Sequence, residues 1–164
     1  MKVKAKKVSI PSKDTMRLVL LNEMRSIGKE IKEDFDKTVE TWDKKPDFKL
    51  SVSLAGSTPS VTVETIDEVY KWVDEGTKAH WVEPVNAKVL AFRTSYQAKT
   101  SPGVIGSGAG GASGDMVFSK GHEVSGIKAR KFSKKIQDKW KGEFGKRMAS
   151  AMKQAAKASG HGKG

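Results

Sequence analysis

The 164-residue chain has no cysteine. That excludes disulfide scaffolds, thiolate zinc sites and cysteine nucleophiles. It has no run of 18 apolar residues, so no membrane span is expected. Met1 to Lys7 is basic, but no apolar stretch of about 7–15 residues follows, so no secretory signal is expected either. The cytoplasm, or a particle assembled there, is the expected compartment. Aromatic residues make up 7% of the chain and hydrophobic residues 37%, against 30% charged. A chain of this length holds one domain with a real core, and the polar excess implies arms beside it.

Acidic residues are scarce at both ends. There are 31 basic and 19 acidic side chains, a net charge of +12. Residues 1–13 carry five lysines and no acid; 14–118 carry 13 basic and 16 acidic groups; 119–164 carry 13 basic and 3 acidic groups. A slightly acidic middle is thus flanked by basic ends. Such a field suits a polyanion or an acidic protein neighbour; a solvated helix face with a solubilising tail accounts for it equally well.

Along the chain, residues 1–11 read as a basic arm, extended or disordered. Ser12 reads as an N-cap with Asp14 in the first turn. Met16, Leu20, Met24, Ile27, Ile31, Phe35, Val39 and Trp42 follow at steps of three and four, predicting one helix of about thirty residues ended by Pro46. Helices average about 11–12 residues, so one this long must lean on more than its own small domain, or on a neighbouring subunit. Phe48, Leu50, Val52 and Leu54 then alternate with polar residues. Gly56-Ser57-Thr58-Pro59 turns the chain, and Val61 and Val63 alternate again, predicting a hairpin with one apolar face. Residues 67–75 suit a short helix capped by Asp67 and stopped by Gly76. His80-Trp81-Val82 is a short extended piece before Pro84. In a third main strand Val89, Ala91 and Arg93 face one way and Leu90 and Phe92 the other; Met116-Val117-Phe118 is the fourth. The Gly/Ser-rich stretch 101–114, within a loop spanning 99–114, reads as flexible. From Ser133, Ile136, Trp140, Phe144, Met148, Ala151 or Met152, and Ala155 mark a final helix, before a frayed tail at 159–164. The expected fold is α+β. A long N-terminal helix precedes an antiparallel sheet of about four strands with a short inserted helix and a long Gly/Ser hairpin loop. A C-terminal helix closes it, and both long helices lie on one face of the sheet. Residues 12–158 are expected to form a single domain.

The chemistry-bearing patterns are few. Gly106-x-Gly108-x-x-Gly111 matches a dinucleotide fingerprint as text, but that mechanism needs a strand before it and a helix after it. Here it lies in a loop that leads into a strand, and it is set aside. His80 and His122 each stand near a glutamate, Glu83 and Glu123, with His161 in the tail; the spacing matches no metal-ligand pattern. No Gly-x-Ser-x-Gly elbow is present. No cofactor, metal site or enzymatic activity is expected. Lys128-Ala129-Arg130-Lys131-Phe132-Ser133-Lys134-Lys135 is the densest basic cluster. Lys128, Arg130, Lys131, Lys134 and Lys135 are candidates for contact with DNA or an acidic partner. Phe132 reads as an apolar anchor or a base-stacking ring.

Two segments carry a family resemblance. Val69-Tyr70-x-Trp72-Val73-Asp74-Glu75-Gly76-Thr77-x-x-His80-Trp81-Val82-x-Pro84 resembles a motif of tailed bacteriophages: tyrosine, an acidic residue, Gly-Thr, histidine, then proline. Lys88-Val89-Leu90-Ala91-Phe92 is similar to the strand that follows it. Val117-Phe118, His122 and Gly126-Ile127-Lys128-Ala129-Arg130-Lys131-Phe132 resemble the closing motif that leads into the last helix. The family is the neck or tail-completion proteins of long-tailed phages, also called minor tail or head–tail joining proteins, and the resemblance covers about residues 12–158. The chain departs from it at His122-Glu123-Val124-Ser125-Gly126, where a His-Pro-Gly-like turn is usual, and in its longer Gly/Ser loop. The resemblance implies a structural virion protein in the neck. It would form a ring with itself, expected to be a hexamer, between the head connector and the tail terminator or tail tube, with double-stranded DNA passing and no membrane. It marks Tyr70, Gly76, Thr77, His80, Pro84, His122, Gly126, Arg130 and Phe132 as structural motif residues. Gly76 and Gly126 would make tight turns, Thr77 and His80 would hold a loop, and Arg130 would offer its planar fork to a neighbour's carboxylate. The alternative is a non-specific DNA-binding protein using the basic termini.

Overall fold

The computed structural model describes residues 13–55 and 58–158. The expected N-terminal arm, the Ser12 cap, the centre of the turn at 56–57 and the tail at 159–164 lie outside the described residues. The elements run α1 (Lys13–Thr38), β1 (Lys49–Ala55), β2 (Thr58–Glu64), α2 (Glu68–Glu75), β3 (His80–Val82), β4 (Leu90–Gln97), β5 (Gly111–Ser119), β6 (His122–Val124) and α3 (Phe132–Ala158). The fold is α+β, with long helices at both ends of the order. The strands do not merge into one sheet. They form three two-stranded sheets, β1-β2, β3-β6 and β4-β5. Among the described residues no helix is long and apolar enough to cross a membrane.

The described chain falls into two compact units. The first takes α1 up to Lys32, Lys49–Val63, and α3 from Asp138. Its core is Met24, Ile27 and Met148, with Leu20, Leu21, Ile31, Val52, Leu54, Val61, Trp140 and Phe144 packed against them. The alternating apolar side of the hairpin thus lies against the stripes of both long helices, as their periodicities require. On α3 the stripe takes Ala151, which is buried, and leaves Met152 half-exposed.

A charged clamp ties the same helices. Arg147 on α3 donates from Nε to Glu23 Oε1 at 2.6 Å, from Nη1 to Glu30 Oε1 at 2.6 Å, and from Nη2 to Ser26 Oγ at 3.3 Å. Positions 23, 26 and 30 share one face of α1. The hydrogen bonds that Glu30, and then Glu23, accept from it raise the Arg147 pKa, against partial desolvation. Arg147→Met is expected to lower stability by about 2 kcal/mol, since it strips charge-assisted hydrogen bonds from two part-buried carboxylates. Arg147→Lys recovers only part, because a single ammonium cannot span both acids. Urea unfolding checks both variants.

The second unit contains Glu33–Phe48 and Glu64–Gln137. Its centre is aromatic. Tyr70 of α2 meets Phe48 edge-on at 5.1 Å, Phe132 at 6.1 Å, and Phe35 and Trp42 at 6.3 Å each between ring centroids. Phe35 meets Phe48 at 5.3 Å. These spacings are those of favourable edge and tilted pairs. Asp67 caps α2 as expected, accepting from Tyr70 N–H at 2.7 Å. Asp34 of α1 is buried and lies 3.6 Å from Lys37 Nζ.

Helix α1 stops at Thr38, short of the expected thirty residues. The Thr38 hydroxyl bonds back to the Phe35 carbonyl at 2.7 Å, and Val39 N–H and Trp42 N–H make tighter three-residue bonds to Asp36 and Val39. The Gly/Ser stretch meets this end. Ser107 Oγ donates to the Lys37 carbonyl and accepts from Thr41 N–H at 3.1 Å, and Thr41 Oγ1 donates to the Gly108 carbonyl. Lys99 Nζ reaches the Thr41 carbonyl at 2.9 Å and the Asp43 carboxylate at 3.3 Å. Residues 98–110 are thus tied at several points, and 111–114, expected as loop, are the first residues of β5. Small side chains let this segment lie close enough for its own backbone to serve as partner.

Candidate functional site

The two motif halves meet within the second unit. Helix α2 ends at Gly76, whose φ of 82° and ψ of 166° belong to a region that essentially only glycine occupies. The chain leaves it as Thr77, whose N–H donates to the Ile127 carbonyl at 2.9 Å while its Oγ1 accepts from Ile127 N–H at 3.0 Å. Arg130 N–H then donates to the Val73 carbonyl and Lys131 N–H to the Asp74 carbonyl, both at 3.0 Å. A rung of backbone bonds therefore clasps 127–131 along the end of α2. The clasp allows no β-carbon at its closest points. One on Gly76 would lie 2.7 Å from Ile127 O and 2.8 Å from Ala129 N; one on Gly126 would run into Thr77 O and lie 2.7 Å from Lys78 C.

The clasp leads into α3. Asp74 Oδ1 accepts from Ser133 N–H at 3.2 Å and so satisfies an otherwise orphaned donor of the new helix. Sequence reasoning did not single out Asp74. The signal was present: an acid at the C-terminus of α2 opposes that helix's dipole, and α3 has no acid in its own first turn. Phe132 is fully buried against Tyr70, so it is the anchor and not a base-stacking ring. Arg130 is half-buried: its Nε donates to Thr100 Oγ1 at 3.2 Å and its carbonyl accepts from Gly103 N–H at 2.9 Å.

Tyr70 Oη is buried without a hydrogen-bond partner. Burial first, then the Asp74 carboxylate, pushes the phenol above its ordinary value; the Ser133 and Thr38 hydroxyls pull the other way without bonding to it. Tyr70 is thus a neutral packing group.

His80, Pro84 and His122 lie outside the clasp. His80 opens β3, exposed, with Nδ1 3.1 Å from the Lys78 carbonyl. Pro84 is half-buried just after β3. His122 opens β6, two positions out of register with His80, since His80 faces Val124 and Val82 faces His122. The His122 ring stacks on Phe92 at 4.2 Å, and its Nδ1 is buried and unpartnered. Glu83 accepts from the Trp81 indole at 3.0 Å. Among the described residues no group of three His, Cys, Asp or Glu is placed to hold a metal ion, and His161 lies outside them.

The β4-β5 ribbon has two unlike faces. Leu90, Phe92 and Val117 are half-buried, as the alternation predicts. Ala91 opposite Phe118, and Arg93 opposite Met116, form the other face, which is exposed. A bulge follows between Arg93 and Ser95, where Thr94 Oγ1 accepts from Asp115 N–H at 3.1 Å. Phe118 is 66% exposed, Tyr96 70% and Trp81 60%. Of the exposed large apolar side chains among the described residues, all but Leu18 and Met152 belong to this second unit.

Comparison of the chain with protein-family models, with curated proteins and with solved structures finds no match.

Proposed function

We propose that the chain is a structural virion protein of a tailed-phage neck: copies assemble into a ring, expected to be a hexamer, that completes the tail end and joins it to the head connector. The observation that carries this reading is the exposed face that presents Met116 and Phe118 on β5, with Tyr96 exposed on the paired strand β4 and Trp81 exposed on β3. Large apolar side chains gathered on short ribbons with open edges suit burial by another protein surface. Repetition of one heterologous contact around an axis closes a ring. The reading is supported as well by the two halves of the phage-like motif, which are about fifty residues apart in sequence and serve one clasp. The clasp's chemistry is positional: it ties the end of α2 to residues 127–131 and to the start of α3.

Two measurements test it. Mass photometry of the purified chain should show a six-chain species, and Phe118→Ser with Met116→Ser should reduce it to single chains with the far-ultraviolet circular dichroism of the folded chain retained. Electron microscopy of a phage lacking the gene should show full heads beside unattached or abnormally ended tails. Normal, joined particles would remove the neck reading.

A further inference from the structure

We infer that Lys128, Lys131, Lys134 and Lys135 form a docking surface for the phosphate backbone of duplex nucleic acid, read without sequence preference. The inference is independent of ring assembly. All four side chains are exposed, and none makes an ion pair among the described residues. Lys134 and Lys135 lie in the first turn of α3 and Lys131 immediately precedes it, its carbonyl accepting from Lys135 N–H. Like charges at this spacing repel, and cations at a helix N-terminus oppose its dipole. Asp74 Oδ1, bonded to Ser133 N–H, answers that positive end.

Lys131 adds a second observation. Its φ is 58°, and it is the one non-glycine residue with positive φ among the described residues. Glycine would sit there without strain. A lysine instead occupies a position the backbone disfavours, in the middle of the charged cluster. Positive charge is kept at this turn although the helix dipole and the Lys131 backbone both disfavour it.

The chemistry of the four groups selects the partner. Ammonium groups on flexible stems act as point charges for phosphate, and phosphate contacts carry no sequence information. The arginine of the cluster, Arg130, is engaged with Thr100. Single-strand binding needs an exposed ring for stacking, and Phe132 is fully buried. Lysine is depleted at protein–protein contacts, which disfavours an acidic protein as occupant.

Fluorescence anisotropy with a random-sequence duplex of about 24 base pairs, the length of a few phosphate-contact sites, tests this on the full chain between 50 and 200 mM salt. Each lysine that neutralises a phosphate contributes about 0.9 to the salt slope. Changing all four to glutamine should make the slope shallower by about 3–4 and weaken binding at least tenfold at about 100 mM. The same number of changes at Lys49, Lys141, Lys153 and Lys157 should leave most of the slope in place. Lys131→Gly should raise the melting temperature by about 2–4 °C while weakening binding several-fold, a pairing that a structural lysine would not produce. Wild-type binding by the four-fold variant, an equal loss in the control, or a lower melting temperature for Lys131→Gly would overturn the proposal. Competition by polyglutamate as effective per charge as by duplex would assign the surface to an acidic polypeptide and overturn it too.

Discussion

Gly76→Ala is expected to destabilise the chain by about 3 kcal/mol, and Gly126→Ala by at least as much. At Gly76 a β-carbon meets two penalties. The backbone conformation there is one that L side chains avoid, costing about 1–3 kcal/mol, and the atom would press on Ile127 O and Ala129 N, which are backbone and cannot rotate away. At Gly126 the obstruction is the Thr77 carbonyl with Lys78 and Ala79 behind it, so the added methyl must push the clasp apart. The identical change at Gly142 and Gly145 has the opposite sign. Both lie within α3 with nothing near the position of a β-carbon, and alanine there should add about 0.5–1 kcal/mol each through helix propensity. Chemical denaturation of the four variants reads all the signs. Equal effects in both pairs would mean that the clasp does not hold the unit together.

Phe132→Ala is expected to remove about 3–5 kcal/mol, as is usual for a fully buried phenylalanine. In a chain of this size that lowers the melting temperature by roughly 10 °C. Tyr70 gives the informative contrast. Tyr70→Ala should match Phe132→Ala, because it removes the ring that meets four others. Tyr70→Phe keeps the ring and removes a buried hydroxyl that has no partner, so it should be neutral or stabilising at pH 7. Its effect grows with alkali. A phenol in the unfolded chain ionises near about pH 10, while the buried one stays protonated to higher pH. The folded state therefore binds more protons there, and stability that is full below the ordinary phenol value is lost as pH rises beyond it. Tyr70→Phe should lose less stability than the wild type between pH 9 and 11. Equal losses would show that Tyr70 ionises freely in the folded chain.

Local regularity was legible in the sequence, and assembly was not. Periodicity predicted α1 and α3 with their buried faces, the β1-β2 hairpin and the two faces of β4, because each reflects which side chains leave water within a few residues; residue type predicted the Asp67 cap and the Gly76 stop, because each is a local backbone matter. The end of α1 at Thr38 was not visible, since Ser107 and Gly108, about seventy residues later, supply the partners there. Nor was the division into three two-stranded sheets. β3 and β6 have three residues each, too few to establish a period, and β6 exists only through its pairing with β3. The resemblance marked nine residues, but its pattern did not sort them and did not mark Asp74. Tertiary contact placed Tyr70, Gly76, Thr77, Gly126, Arg130 and Phe132 in or on the clasp and left His80, Pro84 and His122 at the ribbons. It also chose between the two readings of Phe132, because whether a ring is a core anchor or a stacking platform depends on what covers it. Composition and order by themselves determined a cysteine-free α+β chain with basic ends. Only the folded chain decided which of its cations are paired, which of its aromatics face water, and that Asp74 caps a helix beginning nearly sixty residues later. Those outcomes depend on distances between segments, and one-dimensional spacing does not contain them.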